Sequence, residues 1–323
     1  MHNTNWAILG CGNIAHKFAE DIRATEGATL YAVGSRSLEK AEAFKQQHQA
    51  HKAYASYEDL VKDPKVDIVY IATPHTYHKE VTFLCLKHRK AVLCEKPFAM
   101  NRSEVEAMIA FAKAQKTFLM EALWTYFIPH YQFALHTVYS GALGAIKSLK
   151  ADFGIDVPKD ESHRLYNKNL GGGSLLDVGI YPLFAALTML GEPESIEAKA
   201  TFHTNGIDLN CEMELTYSDQ VKANLFSAID TQTPTTCHIE LEKGTIHINS
   251  RFHDPTNITI TKNGITETID FPVTVHGYHY EILHCQEMLV QGKTESDIMT
   301  FEKSIQLISL LDNVREKIGL EYH

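Results

Sequence analysis

The six cysteines of this chain, Cys11, Cys85, Cys94, Cys211, Cys237 and Cys285, include no Cys-x-x-Cys pair. That absence excludes a tetrathiolate zinc site and a small disulfide scaffold. Its 18 histidines include no His-Glu-x-x-His helix or other metal cluster, so no metal is expected. Basic residues are scarce, with 30 Lys and Arg against 40 Asp and Glu and a formal net charge of −10. A general nucleic-acid binder needs a basic face and is excluded. A small nucleotide is not, because one phosphate site needs only a few local donors. The N-terminus carries no basic stretch and no apolar segment long enough for export or for crossing a membrane. A cytoplasmic protein with reduced thiols is the expectation. Internal repeats and low-complexity linkers are also missing.

What is present is ample apolar residue, 44% of 323 positions. At about 150 residues per domain this length points to two domains. Short apolar runs occur at Trp6–Leu9, Thr29–Val33, Val66–Ala72, Ala91–Cys94 and Phe118–Met120. Without strict polar alternation they read as strands buried on both faces, as in a parallel sheet. Helix patterns lie between them. Ser37 precedes Leu38–His48, Ser56 precedes Tyr57–Val61, and Ser103 with Glu106 makes a capping-box pattern before Val105–Ala114. Strand–helix alternation of this kind implies a doubly wound α/β sheet over residues 1–122.

The grammar changes after Trp124. Pro129 opens a helix pattern to about Ser140, a strand-like Ile146–Phe153 follows, and Gly171-Gly172-Gly173 leads into an apolar helix-like run, Ser174–Leu190. From Ser195 to Phe271 the pattern alternates, as strands with one solvated face do. Asn263-Gly264 between two such runs is a tight-hairpin signal. Helix patterns near Tyr278–Val290 and Thr300–Ile318 close the chain. Residues 123–323 therefore read as an α+β domain with a large, mainly antiparallel open sheet, for substrate binding and dimerisation.

Gly10-Cys11-Gly12-Asn13-Ile14-Ala15 is a G-x-G-x-x-A turn directly after the first strand. Its glycines let backbone approach a pyrophosphate at a helix N-terminus, so Gly10, Gly12, Asn13, Ile14 and Ala15 are candidate cofactor residues. An acidic residue ending the second strand would select NAD through the ribose hydroxyl. This chain has Gly34-Ser35-Arg36-Ser37 there, and Ser35 with Arg36 can hold a 2′-phosphate, which favours NADP over NAD. Thr73-Pro74-His75-Thr76-Tyr77-His78 and Glu95-Lys96-Pro97 end two further strands, where open α/β sheets bind ligands. Thr73, Pro74, His75, His78, Glu95, Lys96, Pro97 and Trp124 are thus further cofactor candidates.

These motifs together resemble the Gfo/Idh/MocA oxidoreductase family over nearly the whole chain, Glu95-Lys96-Pro97 being the most specific element. Met120-Glu121-Ala122-Leu123-Trp124-Thr125 and the run Gly171–Tyr181 resemble its dimeric dihydrodiol dehydrogenase branch more closely. The resemblance implies a lysine and a tyrosine at the reacting carbon, here Lys96 and Tyr181, and a homodimer through the C-terminal sheet. Many members carry histidine where this chain has Tyr181. The chemistry is sound on its own terms. Reducing a carbonyl takes a hydride from nicotinamide and a proton for the developing alkoxide, which Tyr181 can supply. A free phenol titrates near about 10, and a Lys96 cation beside it would stabilise the phenolate and the substrate oxygen. Asp177, four residues before Tyr181, could orient Lys96 or a substrate hydroxyl, or cap the helix after the glycines. Trp124, Phe127 and Phe153 are candidate substrate walls, with a core role the competing reading.

The expected protein is an NADP(H)-dependent dehydrogenase or reductase for a carbonyl or polyol substrate such as a sugar, diol or dicarbonyl. It has no nucleic-acid or membrane partner. The alternatives are an NAD-dependent sugar or inositol dehydrogenase, and a nicotinamide-sensing regulator without chemistry.

Overall fold

Strands buried on both faces need continuous apolar runs, and the first of two compact units is built from them. The computed structural model describes residues 3–160 and 162–322. Strands β1 (Thr4–Leu9), β2 (Ala28–Gly34), β3 (Lys52–Tyr54), β4 (Ile68–Ile71), β5 (Ala91–Glu95) and β6 (Leu119–Ala122) form one parallel sheet ordered 3-2-1-4-5-6. This is the doubly wound order, and its switch point lies between β1 and β4. The short β3 escaped sequence reading because Lys52-Ala53-Tyr54 offers no apolar run.

Helices α1 (Asn13–Ala24), α2 (Leu38–His48), α3 (Tyr57–Val61), α4 (His78–Lys87) and α5 (Arg102–Gln115) connect these strands. Ser37 and Ser56 cap α2 and α3 as expected, accepting from the Lys40 and Asp59 amides. The α5 cap is corrected: Asn101, not Ser103, accepts from Glu104 N at 2.9 Å, and Glu104 reaches back to Met100 N at 3.2 Å. The box is present but starts two residues earlier.

The second unit holds α6 (Pro129–Tyr139), β7 (Ile146–Gly154), a π-turn over Leu175–Gly179, α7 (Ile180–Leu190) and the strands that follow. Those are β8 (Ser195–Phe202), β9 (Asp208–Thr216), β10 (Lys222–Ala228), β11 (Cys237–Leu241), β12 (Gly244–Ile248), β13 (Ile258–Lys262) and β14 (Ile265–Ile269). They make an eight-stranded sheet ordered 14-13-12-11-7-10-9-8. Only the β7–β10 pairing is parallel. Asn263 (φ 52°) and Gly264 (φ 77°) turn the β13–β14 hairpin, the two left-handed positions that such a tight turn requires. The apolar stretch 168–190 is long enough to cross a membrane, yet 94% of its most apolar 18-residue window is buried inside the protein. It is the core helix of its unit.

Two helices end the chain, α8 (His279–Val290) and α9 (Phe301–Ile318). The expected division at residues 122/123 needs revision here. Val273–Ile305 belongs with Met1–Trp124 in one compact unit, and Thr125–Pro272 with Gln306–His323 in the other. The reason is Asp21 on α1, fully buried, whose carboxylate accepts from His276 N and His279 N at 3.0 Å each. A buried carboxylate at the start of α8 binds that helix to the first unit.

The outward row of the large sheet runs His238, Lys150, Asn224, Glu214 and Glu197 across five strands. Ion pairs Lys199–Glu212 (2.9 Å) and Lys222–Glu214 (2.5 Å) lie on the same face. The apolar alternate residues, such as Leu149, Leu225, Met213 and Leu215, are buried on the opposite face. The open face is polar, as the alternating pattern of strands with one solvated face expects.

Candidate active site

In the first unit the ligand edge is assembled from strand ends. Gly10 has φ +99°, and a Cβ there would lie 2.7 Å from the Ala72 carbonyl oxygen at the end of β4, so only glycine fits. Gly12 differs. It begins α1 at φ −84°, and a Cβ there would meet nothing within 4 Å. No protein atom requires a glycine at that point, and the open space suits a ligand approaching backbone. The first turn of α1 has no side-chain cap and no acidic residue, which leaves its amides and positive dipole end for an anion. Thr73 Oγ1, just beyond the end of β4, is buried without a hydrogen-bond partner among the described residues. An open backbone cradle, free helix amides and an orphan hydroxyl fit a dinucleotide pyrophosphate.

The end of β2 is shaped for charge. Ser35 is buried and its Oγ accepts from Ser37 N at 3.3 Å. Arg36 is exposed and its guanidinium lies 5.4 Å from the centre of the Tyr77 ring. Stacking of that kind pre-organises the planar fork for a phosphate.

Two of the remaining first-unit candidates are packed into the fold. His78 is fully buried, with Nδ1 2.9 Å from the Pro97 oxygen and Nε2 2.9 Å from the Thr73 oxygen. It braces the two loops rather than lining the cofactor edge, and burial holds its pKa down. Trp124, only 6% exposed, stacks on Tyr278 with centroids 4.2 Å apart and belongs to the core of this unit. His75 is buried at the start of a short helical turn, His75–Tyr77.

Glu95 ends β5, and Lys96 and Pro97 follow it directly. Glu95 accepts from the Tyr70 hydroxyl and from Lys96 N at 3.2 Å. Glu121 on β6 supports the same turn by accepting from Phe98 N at 3.0 Å. Burial lifts the Glu121 carboxyl to about 7, against the pull of its bonds to Ser304 and Phe98. Lys96 is half-buried.

The second unit carries the other candidates. Tyr181 is the second residue of α7 and 6% exposed. Its ring centroid lies 5.6 Å from Phe153 and 4.8 Å from His253, and Phe153 stacks on His253 at 4.1 Å. Phe153 stands beside Tyr181 and also packs against the core cluster around Leu165 and Val178, whereas Phe127 is buried beside Tyr126. Asp177 lies inside the π-turn, so the four-residue spacing to Tyr181 is not that of a continuous α-helix. Arg164 donates to its carboxylate at 2.8 Å. The start of this helix is capped by Asp208, which accepts from Leu175 N at 2.7 Å. Sequence reading missed His253, Arg164 and Asp208, none of which sits in a motif. The loop carrying Arg164 is anchored by buried Leu165 and Tyr166, which pack with Val178, Ile207 and Ile229. Glu161 of that loop lies outside the described residues.

Comparison with known proteins adds to this geometry. A family model described as an oxidoreductase family with an NAD-binding Rossmann fold matches residues 4–123, and a Gfo/Idh/MocA C-terminal domain matches residues 131–247. A trans-1,2-dihydrobenzene-1,2-diol dehydrogenase of Xenopus tropicalis is 36% identical over 331 residues, covering 99% of both chains. The Homo sapiens protein of that name is 33% identical, covering 98% of this chain and 97% of its own. Among solved structures, an aldose-aldose oxidoreductase from Caulobacter crescentus, complexed with glycerol, superposes with TM-score 0.89 at 25% identity over 98% of each chain. A 3-ketoreductase from Actinomadura kijaniata, in complex with NADP and TDP-benzene, gives TM-score 0.88 at 25% identity over the same share. The doubly wound order, the open cradle after β1 and relatives matched along their whole length converge, and the chain belongs to the Gfo/Idh/MocA family of nicotinamide-dinucleotide-binding oxidoreductases.

Proposed function

We propose that the protein is an NADP(H)-dependent oxidoreductase acting on a carbonyl or hydroxyl carbon of a diol, sugar or dicarbonyl compound, with Lys96 and Tyr181 as its catalytic polar pair. The observation that carries this reading is the strand-end edge of the first unit. There Gly12 leaves room for a pyrophosphate, Ser35 and Arg36 replace a ribose-binding acid, and Lys96 follows β5. When bound, the cofactor supplies or accepts the hydride. Tyr181 gives the proton to the developing alkoxide, Lys96 stabilises negative charge on phenolate and substrate oxygen, and Phe153 walls the substrate. Arg164 holds the Asp177 carboxylate in place at 2.8 Å, and Asp177 orients a substrate hydroxyl. The diol dehydrogenase relatives support the substrate class, and the ketoreductase bound to NADP supports the cofactor.

The cofactor choice is tested at Arg36. Arg36→Ala is expected to weaken NADPH about tenfold or more, since a charge-assisted contact is worth about 1.5–3 kcal/mol, and to leave NADH nearly unchanged. Fluorescence titration of both cofactors measures it, and equal losses for NADH and NADPH would refute the 2′-phosphate role. A screen of NADPH oxidation over aldoses, inositols, diols and α-dicarbonyls tests the substrate class.

A homodimer through the large sheet and a cytoplasmic location complete the proposal. The six free thiols, all but Cys11 buried, suit a reducing compartment. The open sheet face, polar with Phe202 exposed at its edge, suits an interface of mixed polarity. Sedimentation at micromolar concentration is expected to give about twice 36.4 kDa, and a clean monomer would contradict it.

A further inference from the structure

Asp208, the first residue of β9, is fully buried and lies in no motif. Its Oδ2 accepts from Ser174 Oγ and from Leu175 N, each at 2.7 Å. Ser174 Oγ is also 3.0 Å from Ser227 Oγ on β10. The same short stretch is held from other sides. Gly173 has φ +118°, and any Cβ on it would collide with Asp208 Oδ1, so the carboxylate seats directly against the loop backbone. The Tyr322 hydroxyl donates to the Gly172 oxygen at 2.6 Å. Residues 172–175 are therefore clamped immediately before the π-turn that carries Asp177 and passes into α7 at Tyr181. Ser174 makes no side-chain cap to this helix. The cap comes from a strand 33 residues away.

We propose that Asp208 is a positioning residue: its ionised carboxylate fixes the start of the π-turn and so the orientation of Tyr181 in proton transfer. The proposal rests on the reading of Tyr181 as proton donor. A carboxylate receiving a hydroxyl and the first amide of a helix makes charge-assisted bonds and answers the helix dipole. Protonation removes that charge and weakens both. Burial pushes the Asp208 carboxyl up to about 6, against the pull of Ser174 and the Leu175 amide. Among the described residues the titratable groups facing it are Cys211 on its own strand and Tyr322, and burial pushes both upward, away from neutrality. The charged groups Arg315 and Asp177 border Tyr322. Asp208 is thus the group of this set that changes charge near about pH 6.

The test is the pH dependence of kcat in NADPH-driven reduction of diacetyl, beside amide hydrogen exchange of residues 175–179. In the wild type kcat falls as pH drops through about 6. Asp208→Asn is expected to lack this acid limb, turn over about tenfold slower, bind NADPH normally and exchange the 175–179 amides faster. Ser174→Ala removes a donor to the carboxylate and is expected to move the limb to higher pH. That shift decides the matter if Asp208→Asn does not fold. An acid limb unchanged in both variants, or unchanged exchange at residues 175–179, overturns the positioning role. Those results alongside an inactive Tyr181→Phe would leave the reading of Tyr181 standing. Normal turnover in Tyr181→Phe would remove that reading, and this inference with it.

Discussion

Replacing Tyr181 by phenylalanine is expected to cut turnover about 10²–10⁴-fold, the scale of general acid–base catalysis, while NADPH affinity stays within a factor of about two. The substitution keeps the ring packed against Phe153 and His253 and removes only the hydroxyl. Cofactor affinity has no reason to change, because the cofactor is held in this reading by Gly10, Gly12, Thr73, Ser35 and Arg36 and not by the Tyr181 hydroxyl. Lys96→Met should slow turnover as well, and the double variant should be little worse than the poorer single one, because residues that act as a unit are strongly non-additive. Steady-state turnover beside cofactor titration measures all three. Near-wild-type turnover in Tyr181→Phe would take this residue out of the mechanism. The proton would then come from Lys96 or water. His163, another candidate donor, is exposed and its Nδ1 accepts from Leu165 N at 3.3 Å.

The second large effect separates two glycines that look alike in the motif. Gly10→Ala is expected to destabilise the cofactor-free protein by roughly 2–5 kcal/mol, from a strained backbone plus overpacking. Its φ of +99° disfavours any side chain, and the new methyl would lie 2.7 Å from the Ala72 oxygen. Gly12→Ala should leave the cofactor-free protein as stable as wild type, or more so by up to about 1 kcal/mol, because alanine restricts the unfolded chain. Its backbone is ordinary, and the methyl enters empty space. That space is where the pyrophosphate would approach, so NADPH affinity should fall at least about tenfold, some 1.4 kcal/mol. Urea unfolding of the cofactor-free variants and NADPH titration give the two readouts. Wild-type NADPH affinity in Gly12→Ala would show that the cofactor does not use this cradle.

Much of the molecule is dictated locally. Apolar runs such as Ala91–Cys94 are strands because only a sheet covered on both faces can bury them. Ser37 and Ser56 cap helices because their hydroxyls reach amides three residues on. Asn263-Gly264 makes a hairpin because both residues tolerate left-handed backbone. The G-x-G turn, the Ser35-Arg36 end of β2 and Lys96 after β5 were legible for the same reason: strand ends announce themselves, and the doubly wound order places them at one edge. Other features were invisible in sequence. Asp21 reads as one polar position on an amphipathic helix, yet it ties α8 to the first unit over more than 250 residues of chain. His253 becomes a neighbour of Tyr181 only when a long β-rich stretch closes back on it. His78 looked like a ligand residue until two carbonyls claimed its nitrogens. Asp208 sits on a strand like any other acid, and only the packed fold presses it against the turn before Tyr181. Local patterning decides which elements form, because hydrogen bonds and hydrophobic periods repeat within a few residues. Which buried charge meets which helix end is decided by tertiary packing, because partners distant along the chain leave no period in the sequence.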